Sequence, residues 1–207
     1  MHSYDLRNLS PVHTIGFGEK RWQSHLGGSF HGPEEQGDVS WNWAAATRCW
    51  CVLPHLDPTH DYAVLLEAAP SAPFGAELRE LTVLAGETEL VKRVVPVTEK
   101  RTTLTVTAQQ LGSARTNFGE LELRWVQLPQ PELDIAVNDQ ACAHLAYQVS
   151  PEIQIREFLL RHQLLASRNI LSFTPNLAIT QRDLANSTDD RCLSFRFYRM
   201  SMFELPD

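Results

Sequence analysis

Residues 120–126 read Glu-Leu-Glu-Leu-Arg-Trp-Val, and residues 133–139 read Leu-Asp-Ile-Ala-Val-Asn-Asp. In the first run Leu121, Leu123 and Trp125 alternate with Glu120, Glu122 and Arg124. In the second, Leu133, Ile135 and Val137 take one parity and Asp134 and Ala136 the other. Successive side chains of a strand point to opposite faces, so a period of two predicts one buried face and one wet face, as in antiparallel sheets. Asn138-Asp139 closes the second run. Both residue types tolerate left-handed backbone angles, which predicts a tight hairpin there.

Working outward, residues 103–108 (Thr-Leu-Thr-Val-Thr-Ala) alternate in the same way. Short apolar runs separated by turn residues predict further strands over 40–45, 48–53, 62–69, 80–85, 89–95, 102–108, 120–126, 133–137, 144–149, 170–173 and 192–203. Residues 85–88 (Ala-Gly-Glu-Thr) read as a second hairpin loop. In the last strand Leu193, Phe195 and Phe197 share one parity and Met200 and Met202 the other, which predicts a β-bulge near Tyr198 or Arg199. Ser150-Pro151 has the form of an N-cap with proline at the first helical position, and good helix formers follow, so one short helix is expected after Ser150. The fold class expected is all-β, an antiparallel jelly-roll β-sandwich. Pro129-Gln130-Pro131 is too short for a flexible tether, so residues 1–207 are read as one domain, with residues 1–39 irregular and packed on the sandwich.

The chain carries 25 acidic and 18 basic residues, a formal net charge of −7. No basic run occurs, which argues against nucleic acid and anionic membrane surfaces as partners. No apolar stretch reaches signal-peptide or membrane-spanning length, so membrane insertion is not expected and a cytoplasmic location is. The four cysteines are Cys49, Cys51, Cys142 and Cys192. Cys49-Trp50-Cys51 would place two thiols on one strand face, but nothing nearby completes a tetrahedral ligand set. Buried, reduced thiols are therefore expected.

Four of the five tryptophans, Trp22, Trp41, Trp43 and Trp50, fall in one unusual stretch, together with His25, His31, Glu34 and Glu35. Trp41-Asn42-Trp43 sets two indoles on one strand face. Two readings stand open: both rings are core, or at least one faces a ligand, as the flat aromatic surfaces of sugar sites do. A cupin-like metal site at His25 and His31 lacks the His-x-His spacing. No nucleophile elbow, glycosidase carboxylate pair or phosphate loop is present. No catalytic residue, metal or other cofactor is expected. Asp190-Arg191 before the terminal strand reads as a structural motif, with a carboxylate taking backbone N–H groups and the guanidinium forking onto a carboxylate.

Phe30-His31-Gly32-Pro33-Glu34, Trp41-x-Trp43, Cys51-Val52-Leu53-Pro54 and Asp190-Arg191-x-Leu193-Ser194-Phe195 together resemble the galactose-binding-like jelly-roll domains of bacterial surface-polysaccharide proteins, often appended to glycosyltransferases. Ser194 stands where those domains have glycine, and the strands between Leu81 and Val95 are extra to their pattern. The resemblance implies a non-catalytic carbohydrate-binding-like module linked to glycan synthesis or recognition, with Trp22, His31, Glu34, Trp41, Trp43 and Trp50 as ligand-binding candidates. Two alternatives are a protein–protein scaffold without a sugar site and a small cupin-like metal-dependent enzyme. The partners implied are a glycan, a protein partner or a homo-oligomer.

Overall fold

A computed structural model describes residues 6–71, 77–85, 87–97, 102, 121–180 and 188–206. The strands are β1 (His13–Gly16), β2 (Leu26–Gln36), β3 (Val39–Val52), β4 (Tyr62–Pro70), β5 (Leu78–Ala85), β6 (Thr88–Pro96), β7 (Leu121–Gln127), β8 (Glu132–Val137), β9 (Gln140–Ala146), β10 (Gln154–Leu160), β11 (Ile170–Pro175), β12 (Ile179–Thr180), β13 (Cys192–Leu193) and β14 (Phe195–Glu204). The expected strand over 102–108 lies outside the described residues, apart from Thr102.

The protein is an all-β, antiparallel sandwich. Nine strands form the main sheet, in the order β10-β4-β14-β3-β11-β8-β9, with β1 on β14 and β2 on β3. β3 is the hinge of this arrangement. Its first half pairs with β14 (Trp43 opposite Arg196, Asn42 opposite Phe197), and its second half pairs with β11 (Cys49 opposite Phe173). β2 runs along its other edge, and the register shifts between Gly28 and Phe30 and again between Phe30 and Pro33. Such irregularities bend and twist a strand, which lets one strand serve two layers. The sheet rolls until its end strands approach. Arg156 Nε of β10 donates to the Ala146 carbonyl of β9 at 2.8 Å, and the Cys142 thiol donates to the Leu159 carbonyl at 3.3 Å.

Aromatic rings fill the interior. Phe197 has its ring centroid 5.3 Å from Phe17, 5.6 Å from Phe30 and 5.0 Å from Phe173. Tyr147 packs on Phe195 at 4.9 Å. Full burial of one such ring contributes roughly 1.5–3 kcal/mol. Cys49 and Cys51 join this core as free, buried thiols. A separate three-stranded sheet, β6-β5-β7, and the short β12-β13 pair complete the described structure.

The hairpin at Asn138-Asp139 forms, with φ of +49° and +66°. β5 and β6 are joined where expected, with Ala85 opposite Thr88. The bulge in β14 lies between Phe197 and Arg199. Two expectations are corrected. No helix follows Ser150: residues 154–160 form β10, which pairs with β4 along its whole length, and only a 3-10 turn, His162–Leu164, comes after it. The edge of β4 supplies a full ladder of partners, and tertiary pairing outweighs a weak helix preference. Residues 1–39 are not irregular throughout, since they supply β1 and the eleven-residue β2. The glycines and histidines of that stretch mask its alternation. Among the described residues no helix is long and apolar enough to cross a membrane.

Candidate functional site

The β2–β3 hairpin positions the sequence-derived candidates. Gly37 takes the φ of +59° that a two-residue loop requires, which sets Glu34 opposite Trp41 and Pro33 opposite Asn42. Asn42 points inward and is 1% exposed. Its Oδ1 accepts the Gly32 N–H at 2.9 Å, and its Nδ2 donates to Gln23 Oε1 at 3.2 Å. With Asn42 buried, Trp41 and Trp43 stand on the opposite, outer face of β3.

On that face the side chains form a connected set. Trp43 Nε1 donates to Glu34 Oε2 at 3.1 Å. Arg191 Nη1 donates to Glu34 Oε1 at 2.5 Å, and its Nε and Nη2 reach Asp189 Oδ2 at 3.0 and 2.9 Å. The Arg191 backbone N–H also donates to Asp189 Oδ1 at 2.9 Å. The fork thus closes on Asp189, one residue before the Asp190 that the sequence singled out. Hydrogen bonds from the Arg191 side chain, then from its backbone N–H, hold the Asp189 carboxyl below its ordinary range. His31 Nε2 lies 3.1 Å from the Cys192 carbonyl. Both Glu34 oxygens are engaged by the protein, so Glu34 ties β2 to the segment leading into β13.

Arg196, which sequence reasoning passed over, completes the face from β14. Its guanidinium carbon lies 5.3 Å from the Trp43 ring centroid, 5.9 Å from Trp41 and 5.8 Å from Tyr198. Its Nη2 donates to the Pro151 carbonyl at 2.6 Å. The signal was there in Phe195-Arg196-Phe197, because two core phenylalanines force the residue between them outward.

Trp22 and Trp50 stand apart from this set. Trp22 packs against the main core from the 3-10 turn Lys20–His25, its ring 5.1 Å from that of His25. Trp50 packs over Gly27 further along β3, where a side chain on Gly27 would collide with the indole. His25 and His31 have different partners, and among the described residues no three His, Cys, Asp or Glu come together as a metal set. Burial pushes the Cys51 thiol up to about 12 and the Cys49 thiol higher still, so both are poor nucleophiles.

A cleft of about 330 Å³ lies elsewhere, where the β7–β8 connection meets the start of β5. Glu77, Gln127 and Gln130 give it polar groups, and Leu78, Pro129 and Leu177 apolar wall. Gln127 Nε2 donates to Glu77 Oε2 at 2.9 Å. None of the six ligand-binding candidates read from the sequence lines it.

No protein-family model matches this sequence, and no curated protein matches it. Among solved structures it is similar to the K1 cleaved adhesin domain of Lys-gingipain from Porphyromonas gingivalis W83. The identity is 11% over 95% of this chain and 90% of that one, with a TM-score of 0.24.

Proposed function

We propose that this chain is a non-catalytic carbohydrate-binding module associated with glycan synthesis or recognition, and that it reads its ligand on the outer face of β3 and β14. The observation that carries the reading is the pair of indoles, Trp41 and Trp43, half-buried on one face with the Arg196 guanidinium 5.9 and 5.3 Å from their rings. A pyranose has an apolar face that stacks on an indole, and hydroxyls that form bonds with a neighbouring guanidinium and imidazole. Arg196 supplies the guanidinium donors, while the His31 Nε2–H is given to the Cys192 carbonyl and leaves Nδ1 to accept from a hydroxyl. Glu34, itself held by Arg191, fixes the Trp43 indole through its Nε1, and with Arg196 over one face of the ring a sugar would stack on the opposite face.

The test is a glycan array followed by tryptophan-fluorescence titration of the best ligands. Trp43→Ala should lower affinity by at least about tenfold, the equivalent of roughly 1.4 kcal/mol. Trp50→Ala, remote from this face, should leave affinity near the parent value. If no glycan binds the parent protein, or if Trp43→Ala binds as the parent does, the reading fails.

A further inference from the structure

The arginines around the outer face of β3 and β14 differ in what balances their charge. Arg191 is paired with Glu34 and Asp189, and Arg199 of β14 with Glu67 at 3.2 Å. Arg196 instead lies against the rings of Trp41, Trp43 and Tyr198, and among the described residues it makes no ion pair. Its Nη2 is taken by the Pro151 carbonyl at 2.6 Å, and its Nε is enclosed without a hydrogen-bond partner. Nη1 is the donor left to a ligand.

Three rings hold this guanidinium in one place and shield it in part from water. A cation against aromatic faces keeps its charge, and a charge-assisted bond strengthens where water is partly excluded. A carboxylate gains that bond, whereas a hydroxyl takes only an ordinary one. Glu34 and Asp189, the carboxylates of this face, are both bonded to Arg191, which offsets much of their repulsion of an anion. The chain's formal net charge of −7 supplies no long-range pull on an anion, so any preference for one is set locally.

We propose that the ligand of this face is an acidic glycan, in which one unit stacks on Trp43 and the uronate carboxylate of a neighbouring unit pairs with Arg196. The proposal rests on the glycan-binding reading above and narrows it to a substrate class. At least two linked units are needed, because Arg196 lies over one face of the Trp43 ring and the stacked unit takes the other.

The test is calorimetric titration of the full chain with galacturonate, mannuronate and glucuronate-containing oligosaccharides, each alongside its methyl ester. Esterification leaves sugar and linkage unchanged and removes only the charge. One acid should bind at least about tenfold more tightly than its ester, and that advantage should shrink at about 0.5 M salt. Arg196→Gln should bring acid and ester to similar affinities. Arg196→Lys should keep part of the preference, since it keeps the charge without the planar fork. Trp43→Ala should weaken both ligands and leave their ratio near the parent's. Thermal melts verify folding, and the acid-to-ester ratio within one variant does not move with a general loss of folded protein. Esters that bind as tightly as acids, or a preference that survives in Arg196→Gln, would overturn the proposal while the glycan-binding reading stands. Binding of sulfated but not uronate oligosaccharides would overturn it too. If no glycan of any charge binds, it is the earlier reading that has failed, and this one falls with it.

Discussion

Arg191 is held from two sides, by Asp189 in its own turn and by Glu34 from β2. Its side chain is 41% exposed, and water screens exposed ion pairs until they contribute little. Geometry favours this one, since the guanidinium fills both oxygens of Asp189 and reaches a second carboxylate. Arg191→Ala should therefore cost on the order of 1 kcal/mol. The pH dependence identifies the cause. Arg191 depresses the Asp189 carboxyl below its unfolded value of about 3.9. A group depressed on folding adds stability above the unfolded pKa, and that stability is lost as pH falls through the folded one. The destabilisation from Arg191→Ala should be full at pH 6 and shrink toward pH 3. Asp57 and Asp61 are also held low. Asp61 is pushed up by desolvation, but bonds from the His162 backbone and ring and from Arg161 outweigh it. The variant should therefore keep part of the parent's acid sensitivity. Thermal melts at the two pH values check this, and a pH-independent loss would mean that Arg191 acts through packing of its stem instead.

Within the β8–β9 hairpin the two loop residues do different work, although both have positive φ. Asn138 Nδ2 donates to the Leu164 carbonyl and to Asn169 Oδ1, each at 3.0 Å, and its Oδ1 accepts the Ile170 N–H at 3.0 Å. Asp139 has one side-chain link, to Arg48, and that pair is exposed at 77% and 48%. Asn138→Gly keeps the backbone free to adopt its angle but removes three bonds around the 3-10 turn, and should cost about 1–3 kcal/mol. Asp139→Gly relieves a left-handed residue and loses only a surface ion pair, so it should change stability by less than about 0.5 kcal/mol. Urea unfolding of both variants tests the contrast, and equal losses would reject it. The hairpin was legible because turn chemistry is local: the alternation on each side and the two loop residues lie within a dozen positions. β10 was not. Ser150 does cap locally, its Oγ accepting the Glu152 N–H at 3.2 Å, but what decides residues 154–160 is the edge of β4, some ninety residues earlier in the chain. Phe158 and Leu160 reach the core at even spacing, while Ile155 stays 57% exposed, a strand pattern that the Glu, Leu and Arg content obscures. β2 escaped detection for a related reason, since its glycines, Pro33 and charged residues carry little hydrophobic signal.

Across the whole molecule, what the sequence revealed of the candidate site was its local half. Glu34, Trp41 and Trp43 meet because one hairpin sets them side by side. Arg191 and Arg196 arrive from the far end of the chain, and only the sheet order brings them there. Trp50 is a neighbour of the site in sequence and not in space, because β3 passes from one layer to the other between Trp43 and Trp50, and Trp22 sits in the 3-10 turn Lys20–His25, packed on the main core. The same topology divides the described structure unequally. One continuous core runs through the main sheet, from Ile15 and Phe17 to Met200 and Met202. The three-stranded sheet rests on smaller clusters, Leu78, Val94 and Ile179 on one hand, and Val83, Ala85 and Leu90 on the other. A cleft of about 330 Å³, open to solvent, lies where that sheet joins the rest, so fewer apolar contacts cross the junction there. Regions with few buried apolar contacts open locally at lower free energy than the global unfolding. Native-state hydrogen exchange should therefore find β5, β6 and β7 exchanging as one low-stability unit. β3, β4 and β14 should exchange only through global unfolding, because each is flanked by strands on both sides and packs on the main core. Equal protection in the two sheets, with the same denaturant dependence, would mean that they unfold as one cooperative body and that the cleft between them costs the junction little.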